Sequence, residues 1–165
     1  MRFLLACVTL LLTACSHHEG IQPEKLQPFS SDGCSLFPDQ SLINQADWCD
    51  CCVLHDIAYW RGGTRAQRKN ADKELRDCVL RKSQDEVLAS LMYEGVRFGG
   101  SPYFYNWYRW GYGWGYARKY QVLNKNEMKQ VKKRWRDFLN NADVPICPLP
   151  DLRLLDIHVL EDLSQ

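Results

Sequence analysis

In the stretch Cys51-Cys52-Val53-Leu54-His55-Asp56-Ile57-Ala58-Tyr59 a histidine and an aspartate stand side by side behind two adjacent cysteines, and Asp72 follows in a second stretch that ends at Cys78. These residue types can do proton-transfer chemistry. Imidazole titrates near neutrality, so His55 can take a proton from water. Asp72 would accept the other ring N–H, fixing the tautomer and stabilising the imidazolium as it forms. Asp56 need not touch the imidazole; its hard carboxylate suits calcium, which prefers oxygen ligands and would need backbone carbonyls to complete its shell. The plainer alternative is a helix on which Asp56 is merely solvated and His55 makes an ordinary hydrogen bond.

That chemistry requires two helices. The spacing predicts a first helix over about 46–60, stopped by Gly62-Gly63, and Thr64 with Gln67 forms a capping-box pattern that opens a second over about 65–81. On a helix, residues three and four apart share a face, so Cys52, His55, Asp56 and Tyr59 are expected together, as are Asp72, Leu75, Arg76 and Val79. The short link from Arg61 to Thr64 forces the helices antiparallel and lets Asp72 approach His55.

Elsewhere, residues 28–45 read as a loop with a turn at Ser31-Asp32-Gly33. Ser83 with Glu86 predicts a third helix with Val87, Leu88, Leu91 and Met92 on one face. Asn124 with Glu127 opens a fourth, where Met128, Val131, Trp135, Phe138 and Leu139 recur at helical spacing opposite Lys125, Lys129, Lys132, Lys133 and Arg136. Between them, residues 99–120 interleave Phe, Tyr and Trp with Gly, a composition expected to pack over the core, with some rings at the entrance to the site. With hardly any strand signal, the fold class is mainly α, an antiparallel helix pair with additional C-terminal helices.

The first residues are expected to be a signal. Met1-Arg2 is a basic start, Phe3–Leu12 is apolar but too short to span a bilayer, and Leu12-Thr13-Ala14-Cys15 resembles a lipoprotein cleavage site, with residues 1–14 removed and Cys15 lipidated. Ser16 is similar to the outer-membrane sorting type, residues 15–27 read as a tether, and residues 28–165 as one domain at a bacterial envelope. The 21 basic and 20 acidic residues set up no overall field favouring nucleic acid. Of eight cysteines, Cys7 leaves with the signal and Cys15 carries lipid; the remaining Cys34, Cys49, Cys51, Cys52, Cys78 and Cys147 argue for disulfides in an exported chain. Six cysteines allow fifteen pairings, and sequence alone does not choose among them. A zinc site on Cys49 and Cys52 is the rival, though a second Cys-x-x-Cys pair or paired histidine is lacking.

The pattern Cys51-Cys52-x-x-His55-Asp56-x-x-Tyr59, followed by Ala71-Asp72 and Cys78, resembles the two active-site helices of the secretory phospholipase A2 superfamily over roughly residues 31–79. Ala58 and Ala71 stand where that family carries two cysteines bonded to each other, so their joint loss leaves no orphan thiol. The resemblance implies the pairings Cys51–Cys78 and Cys34–Cys52, leaving Cys49 and Cys147 to tie the tail to the first helix. It also implies calcium-dependent hydrolysis of the sn-2 ester of a membrane phospholipid: His55 activates water, Asp72 orients His55, and Tyr59 steadies Asp72. Calcium would sit on Asp56 and the carbonyls of Gly33, Ser35 and Phe37, in a loop shorter than the family's usual glycine-rich one, with a backbone N–H near Gly33 completing the oxyanion site. Asp32 is read as a turn initiator. The alternative is a non-catalytic lipoprotein of the same fold that binds lipid or an envelope partner. Oligomeric state, headgroup and chain preference have no signature in the sequence.

Overall fold

A computed structural model describes residues 25–42, 46–141 and 147. The signal segment, Cys15, most of the tether and the leucine-rich tail beyond 150 lie outside the described residues. Four helices follow in order: α1 (Cys49–Arg61), α2 (Arg65–Ser83), α3 (Glu86–Gly99) and α4 (Lys125–Asn141), with a single 3-10 turn at Tyr116–Arg118 ahead of α4. Among the described residues there is no strand, only an isolated antiparallel bridge between Gln40 and Asp47. None of these helices is long and apolar enough to cross a membrane.

The first helix is the centre of the molecule. Cys51, Cys52, Val53, His55, Ile57, Tyr59 and Trp60 are all buried, so no side of it is left wholly to solvent. It begins at Cys49 rather than at Ala46, because residues 46–48 lie extended against 39–41: Ser41 N–H donates to the Ala46 carbonyl, and Trp48 N–H to that of Asp39. α1 and α2 run antiparallel, as the cross-links show: His55 meets Asp72, Cys51 meets Cys78 and Asp50 meets Lys82.

Thr64 and Gln67 form the expected reciprocal cap on α2. The cap expected at Ser83 is displaced. α2 continues through Ser83, Gln84 turns left-handed at φ 54°, and Asp85 caps α3 by accepting from Leu88 N–H. The apolar face expected on α3 is likewise only half right: Met92 is buried and Leu88 packs beside the core, but Val87 and Leu91 are 79% and 58% exposed. Ala89, not a large residue, makes the other buried contact. α4 opens as expected, with Asn124 Oδ1 accepting from Glu127 N–H and Glu127 accepting from Asn124 N–H. Its lysines 125, 129, 132 and 133 and Arg136 are exposed. Val131 and Trp135 hold it to the core, where Phe29 meets the rings of Trp60, Trp135 and Phe138 edge-on. Emptying the Trp135 position would cost about 3–5 kcal/mol.

Three disulfides join Cys34 to Cys52, Cys49 to Cys147 and Cys51 to Cys78, in the arrangement the resemblance implied. Each removes disorder from the unfolded chain and contributes about 2–4 kcal/mol. No cysteine of this set is left for zinc.

The aromatic segment divides by position. Trp110 and Trp114 are buried, while Tyr103, Phe104, Tyr105 and Trp107 are exposed. The buried part solves a local problem, since the last carbonyls of a helix lack intrahelical donors. Gly111 N–H donates to Tyr59 O, Gly113 N–H to Trp60 O, the Trp114 indole to Arg61 O and the Trp110 indole to Gly63 O. The segment therefore fixes the end of the helix that carries His55. The packed chain also starts ahead of the boundary expected at Pro28. Leu26 is fully buried, its N–H donates to Gln130 and its carbonyl accepts from Arg134, both of α4.

Candidate active site

His55 and Asp72 meet at the interface of α1 and α2. Nε2 of His55 lies 2.9 Å from Oδ1 of Asp72, which is fully buried. The same oxygen accepts from the Tyr59 hydroxyl at 2.7 Å, and Arg97 of α3 donates to the other oxygen. Burial alone would raise the Asp72 carboxyl; the hydrogen bonds and charge of His55, with the hydrogen bonds from Arg97 and Tyr59, outweigh it and hold the group below the ordinary carboxylate range. An ionised Asp72 only accepts, so the proton on the shared bond belongs to His55 Nε2 and Nδ1 is left as the ring's acceptor. Burial and then the neighbouring Asp72 charge push the Tyr59 phenol well above its usual value, so it stays a donor.

A second layer steadies this group. Arg68, four residues before Asp72 on α2, donates to the Tyr59 hydroxyl at 3.0 Å, to Tyr120 at 2.6 Å and to the carbonyls of Val96 and Arg97. Those carbonyls belong to the last turn of α3, where a cation is also favoured by the helix dipole. Gly100 is needed beside them, because a Cβ there would run into the Tyr59 ring. Neither Arg68 nor Arg97 was singled out from the sequence. The Arg68–Asp72 spacing of i, i+4 is a local signal; Arg97 has none, since it arrives from another helix.

Asp56 makes no hydrogen bond to this pair and is held from the loop before α1. Its Oδ2 accepts from Ser31 Oγ–H at 2.6 Å, and the same hydroxyl oxygen accepts from Gly33 N–H at 3.2 Å. Asp56 shares with His55 a cavity of about 300 Å³, lined also by Gly33, Ser35, Phe37, Leu75 and Met92. The expected calcium ligands are therefore gathered beside the expected base. Gly33 has φ +81°, and a Cβ there would strike the Asp39 carboxylate, which accepts from Cys34 N–H. The N–H of Gly33 is occupied by Ser31, so Gly33 itself offers no donor to an oxyanion. The turn lies later than expected: Phe37 N–H closes on the Cys34 carbonyl, and Asp32 supports it by accepting from Ser35 Oγ–H.

Comparison with protein-family models, curated proteins and solved structures finds no match for this chain.

Among the described residues no group of three or more His, Cys, Asp or Glu side chains is placed to hold a metal ion. A calcium site of the expected kind does not require one, because carbonyls and a hydroxyl supply the remaining oxygens. Asp56 is the better test of fit. Burial, set against the Ser31 hydrogen bond and joined by the Asp32 charge, pushes its carboxyl up to about 7. A half-buried carboxylate near another acid, with no ion-pair partner among the described residues, lacks the positive charge that a divalent ion supplies. The oxygen donors gathered here are of the chemical kind that a hard cation takes.

Proposed function

We propose that the chain is a calcium-dependent ester hydrolase of the phospholipase A2 type, releasing the sn-2 acyl chain of membrane glycerophospholipids. The observation that carries this reading is the His55–Asp72 pair, closed by Tyr59 and Arg97, opening on the apolar cavity that Asp56 also lines. A fixed imidazole in an apolar cleft, beside a carboxylate suited to a cation, matches water-mediated attack on an ester with an apolar acyl group.

Nδ1 of His55 accepts the proton of the water that attacks the ester carbonyl, and Asp72 stabilises the resulting imidazolium across Nε2. The proton is then given to the departing glycerol oxygen as the sn-2 acyl C–O bond breaks. Tyr59 and Arg97 keep that carboxylate aimed and ionised throughout. Leu75, Met92, Phe37 and Phe98 give the acyl chain an apolar lining and exclude water around the reacting group. Asp56, with the carbonyls of Gly33, Ser35 and Phe37, is the set that would hold calcium, which when bound supplies positive charge to the phosphate and the ester carbonyl. Lipidation at Cys15 would keep the cleft at the surface that carries its substrate.

The test is fatty-acid release from mixed phospholipid vesicles by the full chain, first with calcium and then with chelator. Release from the sn-2 position that stops on chelation is expected. Absence of release in both arms would replace this reading with the non-catalytic lipoprotein.

A further inference from the structure

Asp56 is a partition between two cavities. On one side is the apolar cavity containing His55; on the other is a larger one of about 530 Å³, and Ser35, Asp56 and Tyr108 line both. The larger cavity is walled by the aromatic segment, through Trp107, Tyr108, Tyr112 and Tyr116, with Asp32 at its side. We propose that this second cavity receives an ammonium headgroup, of the choline or ethanolamine class, carried by the phospholipid whose acyl chain lies in the first. The inference rests on the hydrolase reading above.

Position comes first. The two cavities meet at Ser35, Asp56 and Tyr108, so a lipid whose acyl group lies in the cleft of His55 can extend its phosphate-bearing end past Asp56 into this one. Its walls suit a cation. Aromatic faces carry negative potential that attracts ammonium groups within about 6 Å of the ring centre. Trp107 and Tyr108 stand perpendicular with centroids 5.3 Å apart, giving two walls of a corner. Tyr116 is taken up by the Arg109 guanidinium at 4.0 Å and by the Tyr105 ring, which leaves Trp107 and Tyr108 as the rings offered to a ligand.

Charge points the same way. Asp32, which the calcium set does not use, lines the cavity and supplies a carboxylate there. The one buried cation in the wall, Arg109, spends its N–H groups on the carbonyls of Trp110, Gly111 and Trp114. It therefore shapes the wall and leaves little for an anionic headgroup. Asn106, also in the lining, keeps a buried Oδ1 that no donor among the described residues reaches, an acceptor that the N–H groups of an ethanolamine headgroup would satisfy and that a choline headgroup, which has no N–H, would not.

The experiment separates headgroup binding from hydrolysis. Choline, ethanolamine and 3,3-dimethylbutan-1-ol, the neutral isostere of choline, are titrated into the full chain in nonionic micelles and followed by indole chemical shifts. One or both ammonium compounds should bind at least about fivefold tighter than the neutral alcohol, and Trp107→Ala should remove the difference. Trp107→Leu, which keeps apolar bulk at an exposed site, should remove it too, showing that the ring and not its volume is read. In vesicles, phosphatidylcholine or phosphatidylethanolamine should be cleaved about fivefold faster than phosphatidylglycerol, and that ratio should approach one in Trp107→Ala. Equal binding of the cation and its neutral isostere, or a ratio unchanged in Trp107→Ala, overturns the assignment. Selective binding without release from any vesicle would sink the hydrolase reading while upholding the cavity as an ammonium site.

Discussion

Arg97 donates to the Asp72 oxygen opposite the one that His55 uses, so one carboxylate is held from two helices at once. A charge-assisted hydrogen bond of this kind contributes about 1.5–3 kcal/mol. Its loss in Arg97→Met would leave Asp72 Oδ2 with Arg68 at 3.8 Å. The expected result is a fall in kcat of about ten- to a hundredfold with KM little changed, since Arg97 orients the pair and does not bind substrate. Steady-state kinetics on vesicles reads the split. An unchanged kcat would show that Tyr59 and Arg68 suffice.

His55→Gln and Asp56→Asn should fail differently. His55→Gln removes the base, so hydrolysis should fall by about 10²–10⁴-fold while calorimetric calcium binding persists. Asp56→Asn removes the one carboxylate that lines the cavity beside His55, so calcium binding and hydrolysis should vanish together. Activity surviving Asp56→Asn would take calcium out of the mechanism.

Asp72 also predicts a pH dependence of stability. Its folded value lies below the ordinary one of about 3.9, so the unfolded chain binds the proton more readily. The stabilisation is present above the unfolded value and is lost as pH falls through the folded value. Urea midpoints should therefore separate the wild type from Asp72→Asn most at pH 5–7, and the gap should narrow below about pH 4. A gap independent of pH would mean that the carboxylate charge contributes nothing beyond its hydrogen bonds.

The central pair was legible because its determinants are local. Helical period put His55, Asp56 and Tyr59 on neighbouring faces, and the Gly62-Gly63 stop with the Thr64 cap fixed a short antiparallel link that delivers Asp72. Arg97 was not legible, because nothing within α3 marks which of its side chains will meet another helix. The α3 face was misjudged for a related reason: Val87 and Leu91 have the right spacing, but α2 packs against the Ala89–Met92 stripe. At Ser83 the second helix continues, so its hydroxyl accepts from Asp85 N–H and the cap of α3 falls to Asp85, which accepts from Leu88 N–H. The burial of Leu26 depends on α4, over a hundred positions away in sequence, and on Trp60 and the segment around Gly113, and so left no trace in its own surroundings.

The two alanines that stand in for a family cystine give the sharpest check on the resemblance. Ala58 and Ala71 line a single hollow of about 140 Å³ between α1 and α2, next to the cysteines 51 and 78. A side chain longer than methyl at both positions has room to enter that space. The double variant Ala58→Cys, Ala71→Cys should therefore oxidise to a fourth disulfide, leaving no thiol reactive towards a chromogenic disulfide reagent after unfolding. Closing so short a loop contributes about 3 kcal/mol, equivalent to roughly 6–12 °C in Tm for a chain of this size. Two titratable thiols in the oxidised, unfolded variant would mean that the helices do not approach at these positions as the family's do. The alignment that assigns Asp72 its role would then rest on the His55 contact alone.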